Sequence, residues 1–136
     1  MAASGSSART PGQTFALVFG VVYLIIGVLG FLITGFDDFA ADTNEKLILF
    51  EINPLHNVVH ILIGAMWVAG ARTADSAKQV NMIIGVAYLL VALLGIFGLL
   101  DDLINNNAAD IGLHVVSGAA ALYFATAGAG TSTART

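Results

Sequence analysis

The stretch that decides how this chain folds is NPLHNVVHILIG, residues 53–64. Asn is a favoured helix N-cap and Pro is favoured at the first helical position, so Asn53 and Pro54 predict a helix start. His56 and His60 lie four residues apart, which places both imidazoles on one face of that helix, one turn from each other. Because the chain carries no charge from there to Ala71, the sequence predicts two histidines inside a helix that is apolar enough for lipid.

The composition is that of a membrane protein. Of 136 residues, 57% are hydrophobic and only 10% are charged, and the mean hydropathy is +0.87, well outside the range of soluble globular proteins. The chain has no cysteine, which excludes disulfides and thiolate metal sites. Its few basic residues are not clustered, which excludes a nucleic-acid partner, and the expected partner is the lipid bilayer.

Uncharged runs of about 20 residues are long enough to cross a hydrocarbon core of roughly 30 Å. We predict an all-α integral membrane domain over residues 13–130, an up-down-up-down four-helix bundle with spans at 15–35, 53–71, 80–100 and 108–128. Residues 1–12 are expected to form a disordered tail, and residues 131–136 a second tail. The acidic loop 36–52 contains an apolar segment, residues 47–50, that is expected to lie along the interface as a short helix.

Basic residues predict the orientation, because Lys and Arg in short loops are retained in the cytoplasm. Lys46 is the only basic residue expected on one side of the membrane, whereas the other side holds four: Arg9, Arg72, Lys78 and Arg135. Both termini are therefore predicted to be cytoplasmic. Eight of the nine acidic residues then fall on the outer side.

The sequence repeats itself, which predicts two similar helical hairpins. Gly20 and Tyr23 recur 65 residues later as Gly85 and Tyr88. Spans two and four match at an offset of 54, where His56 corresponds to Asp110. Three further pairs share this offset: Asn53 and Asn107, the predicted N-caps; His60 and His114; and Gly64 and Gly118. Two parallel halves imply a pseudo-two-fold axis along the membrane normal.

The repeat predicts a polar cluster formed by His56, His60, Asp110 and His114. His60 and His114 are expected at equal depth, about 10 Å along their helices, with His56 and Asp110 one turn nearer the outside. In a four-helix bundle, spans two and four are diagonal neighbours whose inner faces converge. Ionisable side chains inside a span are costly unless they face the interior, pair or serve a function.

Four interpretations of this cluster are open. One is a pH-responsive role, because histidines beside a carboxylate can titrate near neutral pH. Three imidazoles and one carboxylate are the usual ligand number and type for a transition metal. His60 and His114 are alternatively axial ligands of a b-type haem, with Gly64 and Gly118 leaving space for the macrocycle. The last interpretation is structural and involves no cofactor. The histidines are then hydrogen-bonded to Asp110 and to one another, and Asp110 also closes a capping box. The two glycines allow close contact between helices.

At NPLHNVVH, residues 53–60, with Gly64, and again at His114 with Gly118, the chain resembles a family of small four-span membrane proteins, mainly of actinobacteria, described as domain of unknown function 4383. The resemblance extends from about Thr14 to Ala127. It implies a bacterial plasma-membrane location and four helices, and it implies no activity. Since no nucleophile and base pair, phosphate loop or dinucleotide fingerprint is present, we expect a non-enzymatic membrane protein, an accessory or scaffold subunit that associates with its own copies or with another membrane protein. A metal-binding or haem protein is the alternative.

Overall fold

A side-chain cap determines where the first long apolar helix begins. In the computed structural model, which describes residues 7–127, helix α1 spans Pro11–Thr34 and is preceded by Thr10. The Thr10 hydroxyl accepts a hydrogen bond from the Gln13 amide, and the Gln13 side chain accepts one from the Thr10 amide. This reciprocal capping box starts the helix four residues before the expected span at 15–35, within the segment expected as a tail. The rest of that tail up to residue 6, and the tail at 131–136, lie outside the described residues.

The loop after α1 contains a small β-hairpin, which corrects the expectation of an all-helical chain. Strands β1 (Lys46–Leu47) and β2 (Phe50–Glu51) pair antiparallel, with Lys46 opposite Glu51. The Lys46 ammonium lies 3.3 Å from the Glu51 carboxylate. The expectation of a short helix over residues 47–50 is therefore wrong. The segment is too short to gain from helix formation, which has a costly nucleus, whereas cross-strand pairs stabilise a hairpin locally.

Up to residue 127, four more helices follow the β-hairpin. Helix α2 spans Pro54–Gly70, α3 Ala74–Ile96, α4 Asp101–Ile104 and α5 Ala108–Thr126. Helix α3 has its own capping box, in which Thr73 and Ser76 exchange side-chain and backbone hydrogen bonds. It therefore begins six residues before the expected span at 80–100, and the segment 74–79 is helical. Within the described part of the chain, α1, α3 and α5 are long and apolar enough to cross a membrane, while α2 is apolar but shorter, with 17 residues.

The helices pack in two antiparallel pairs, α1 with α2 and α3 with α5. Glycines bring the backbones of the first pair together, because a Cβ on Gly20 would meet Val68 and the Gly64 carbonyl, and one on Gly64 would meet Leu24. The second pair has the equivalent contacts, Gly85 with Leu122 and the Gly118 carbonyl, and Gly118 with Leu89. Every residue in the second set lies 65 or 54 positions after its counterpart in the first. The two hairpins are therefore copies in their contacts as well as in their sequence.

An aromatic core fills the centre between the pairs. The Trp67 side chain is fully buried, and its ring centroid lies 5.2 Å from that of Tyr23 and 6.0 Å from that of Tyr88. The Trp67 indole N–H donates to the side-chain oxygen of Asn81, whose amide donates to the Gly12 carbonyl. These bonds join three helices near the start of α1. The core thus occupies the middle and this end of the molecule and leaves the opposite end to the histidines.

A candidate metal centre of three histidines

Two N-cap asparagines place the histidines at the same end of the molecule. The Asn53 side-chain oxygen accepts the His56 amide at 2.8 Å, and the Asn107 side-chain oxygen accepts the Asp110 amide at 3.1 Å. Both bonds satisfy amides that the first turn of a helix leaves without a partner. Because α2 and α5 begin in the same way, His60 and His114 both occupy the seventh position of their helices.

The structure brings His56, His60 and His114 together. A ligand nitrogen from each lies within 4.8 Å of the other two. The ring centroids of His56 and His60 are 4.5 Å apart, and those of His56 and His114 are 6.1 Å apart. None of the three residues is more than 3% exposed. The chain has three histidines in total, so all of its imidazoles are in this group, which we call the His triad.

Asp110 is buried but does not join the His triad. One of its carboxylate oxygens accepts the Asn107 amide at 3.0 Å, closing the capping box, and also the Glu51 amide at 3.1 Å. Asp110 therefore connects the β-hairpin to the start of α5. Of the four side chains expected to converge, the structure groups the three imidazoles and uses the carboxylate as a helix cap.

Most ring nitrogens of the His triad have no protein partner. His56 Nδ1 lies 3.1 Å from the Glu51 carbonyl oxygen, to which it donates as an Nδ1–H tautomer. His56 Nε2, both nitrogens of His60 and His114 Nδ1 are buried and have no hydrogen-bond partner among the described residues. Buried polar groups are normally satisfied, because leaving one unpaired costs about 1–3 kcal/mol. Ring nitrogens of three imidazoles that lack a well-aligned protein partner can bind a ligand at this position.

Asparagines in the loops cover this end of the bundle. Asn53 donates to the Ala41 and Leu103 carbonyls, and Asn105 donates to the Thr43 and Ile52 carbonyls, all at 2.8–3.0 Å. The loop after α1 is thereby fastened to the loop after α3 at the end of the molecule where α2 and α5 begin. The Asn-rich run 105–107 is the sequence signal of this cover, although the acidic, Asn-rich composition of the turn does not indicate which carbonyls the asparagines contact.

The two glycines of the haem interpretation do not face an open space. Gly64 lies against α1 and Gly118 against α3, where each allows close contact of two helix backbones. A cavity of about 170 Å³ adjoins the His triad. A cavity of roughly this size holds a ligand as large as benzene, and a haem macrocycle is far larger. The cavity beside the His triad is thus much smaller than a haem, and the three imidazoles converge closely enough to hold an ion.

Comparison with known proteins places the chain in a family without giving it an activity. No curated protein and no solved structure matches it. Residues 13–127, which include α2, α3, α5, all of α1 after its first two residues and the complete His triad, match the model of the family described as Domain of unknown function (DUF4383). The chain therefore belongs to this DUF4383 family, as the segment at residues 53–60 predicted.

Proposed function

We propose that the chain is an integral membrane protein that binds one divalent transition-metal ion through His56, His60 and His114. The main support for this proposal is that three buried imidazoles converge and that four of their six ring nitrogens have no hydrogen-bond partner among the described residues. The structural interpretation needs histidines bonded to Asp110 or to one another. Asp110 instead accepts two backbone amides through one oxygen, and no histidine pairs with its other oxygen, which is buried without a partner among the described residues. Metal binding is therefore the better account of the imidazoles.

The donor set favours a metal of intermediate softness. Neutral imidazole suits zinc, copper, nickel and iron, whereas calcium and magnesium require oxygen ligands. The bond from His56 Nδ1 to the Glu51 carbonyl has the form of the outer-shell bonds that orient metal-bound histidines and leave Nε2 as the ligand atom. Zinc is the simplest candidate, since it binds three histidines without requiring redox chemistry.

The spacing of the His triad requires only a small adjustment on binding. Zn–N bonds of about 2.1 Å in a tetrahedral site separate neighbouring nitrogens by about 3.4 Å. The triad nitrogens lie within 4.8 Å of one another, so each ring must move by about 1 Å. Rotation about side-chain bonds supplies such a shift without moving the helices.

The expected topology completes the proposal. We infer that α2 crosses the bilayer with the three longer helices, because it runs antiparallel to α1 over most of its length and connects two loops at opposite ends of the molecule. With Arg9, Arg72 and Lys78 at one end, the positive-inside rule places that end in the cytoplasm and the His triad toward the outside. Acidic side chains in the outer loops then attract cations toward the site. The absence of enzymatic activity and an association with copies of itself or another membrane subunit remain predictions.

Metal loading of the purified protein tests the proposal. We expect one zinc ion per chain after incubation with Zn²⁺ and removal of excess ion, measured by elemental analysis. His60→Leu and His114→Leu should each lower zinc affinity at least about a hundredfold, since even outer-shell changes cost roughly 10–100-fold. Leu90→Ala is the matched control, because Leu90 is 53% exposed on the outer surface of α3. Equal zinc content in the histidine variants and the control would overturn the proposal.

A further inference from the structure

The wall of the cavity beside the His triad has a polar part and an apolar part. It is lined by all three imidazoles and by Tyr88, and the rest of its wall is apolar, with Val59 and Ile63 from α2, Val91 from α3 and Ile104 from α4. Its volume of about 170 Å³ exceeds the roughly 30 Å³ that one water molecule occupies in the liquid. The imidazoles therefore adjoin a space that is large enough for a small molecule as well as an ion.

Tyr88 brings an unused hydrogen-bond donor to this cavity. The residue is 2% exposed, and its hydroxyl has no hydrogen-bond partner among residues 7–127. Its ring stacks on His114, with centroids 5.1 Å apart and planes 19° apart. The repeat-related Tyr23 differs, because its hydroxyl is paired with the Ser117 hydroxyl at 2.9 Å and it does not line the cavity. Two tyrosines at equivalent positions thus have different surroundings. Their hydroxyls adjoin each other, and Tyr88 is the one of the two that lines the cavity.

We propose that the metal keeps one coordination position open to the cavity, where a small monodentate acceptor binds the ion and takes a hydrogen bond from Tyr88. This inference rests on the proposed function. Sites with three protein ligands characteristically leave a fourth position for water or another small ligand. Asp110 caps α5 through one carboxylate oxygen and lies outside the group of side chains whose ligand atoms converge. The ligand class is water, hydroxide or an anion of a few heavy atoms, because the apolar wall offers no second polar anchor.

Azide titration of the cobalt-loaded protein tests this inference. Co²⁺ takes the place of zinc and gives a visible spectrum that responds to a change of ligand. We expect a saturable azide-dependent spectral change in the unmodified protein. Tyr88→Phe should weaken azide binding by about tenfold, as expected for the loss of one hydrogen bond to a charged group, with cobalt content unchanged. Tyr123→Phe is the matched control and should leave azide affinity unchanged, because Tyr123 is 58% exposed on α5 and does not line the cavity.

The possible results separate the two proposals. Bound cobalt with a spectrum that azide does not change would overturn the open position while leaving the metal site intact. Equal azide affinities in Tyr88→Phe and Tyr123→Phe would show that Tyr88 donates no bond to the ligand. Failure of the folded protein to take up cobalt or zinc would overturn the metal site and this inference together.

Discussion

At the scale of single residues, Asp110 shows how one side chain can have two plausible roles in a sequence. Its position in the repeat matches His56 and suggests a metal ligand, and its position three residues after Asn107 suggests a capping box. The structure assigns it to the cap and to the Glu51 amide. The bond to the Asn107 amide, three residues away, forms within the first turn of α5 and needs no rearrangement of the helices, so the cap takes precedence over a more distant imidazole.

Asp110→Ala should therefore lower stability and leave metal binding intact. The substitution removes the cap bond, worth about 1 kcal/mol, and leaves the Glu51 amide without its acceptor. We expect a loss of about 2 kcal/mol in the free energy of unfolding, measured by thermal or denaturant unfolding in detergent. Zinc affinity should stay within a few-fold of the unmodified protein. A loss of zinc as large as that of His114→Leu would show instead that the carboxylate is a ligand.

At the scale of helices and strands, glycine placement decides how closely each pair can pack. A Cβ on Gly64 would lie 2.7 Å from the Leu24 amide nitrogen and 2.8 Å from the Gly20 carbonyl oxygen, both of which are backbone atoms. A Cβ on Gly118 would lie 3.0 Å from the Gly85 carbonyl oxygen. Backbone cannot move aside as a flexible side chain can, so α1 and α2 must separate if Gly64 is replaced.

Gly64→Ala should destabilise the protein by about 1–3 kcal/mol, the usual cost of overpacking, and Gly118→Ala by less. Gly112→Ala is the matched control, because Gly112 is exposed on α5 and a Cβ there meets nothing within 4 Å. Its greater helix propensity should leave stability unchanged or raise it by up to about 1 kcal/mol. Unfolding midpoints in detergent measure all three variants. Similar midpoints for Gly64→Ala and Gly112→Ala would contradict close contact between α1 and α2.

Element boundaries were the least predictable part of the fold. The Asn53 and Asn107 starts were visible because a strong N-cap is followed at once by an apolar run. The starts of α1 and α3 were missed because Thr10 and Thr73 precede polar residues, and hydropathy alone places a span start after them. The β-hairpin was missed because a four-residue apolar segment has too few residues to show a period of 2 or 3.6.

At the scale of the whole molecule, the internal repeat was the strongest predictor. It correctly indicated paired helical hairpins and placed His60 and His114 at the same position of their helices, with His56 one turn away. It could not indicate which tyrosine would be free, since Tyr23 and Tyr88 are equivalent in the repeat and differ only through Ser117. Such differences depend on contacts between the halves, which sequence periodicity within each half does not report.

Cysteine labelling tests the topology of the whole molecule, because the natural chain has no cysteine to interfere. Asn44→Cys lies exposed in the loop before β1, and Asp75→Cys lies exposed in the first turn of α3. A membrane-impermeant maleimide should label position 44 in intact cells and position 75 only after the membrane is opened. Labelling of both from the same side would contradict a membrane-crossing α2, and the reverse pattern would contradict the orientation.

The most direct test of the metal centre is X-ray absorption at the zinc edge of the loaded protein. Three imidazoles on one ion should give nitrogen scatterers at about 2.0–2.1 Å with the outer-shell scattering of imidazole rings. We expect three such rings per zinc, falling to two in His60→Leu if any zinc remains bound. A zinc ion surrounded by oxygen ligands, or by fewer than three imidazoles in the unmodified protein, would contradict it.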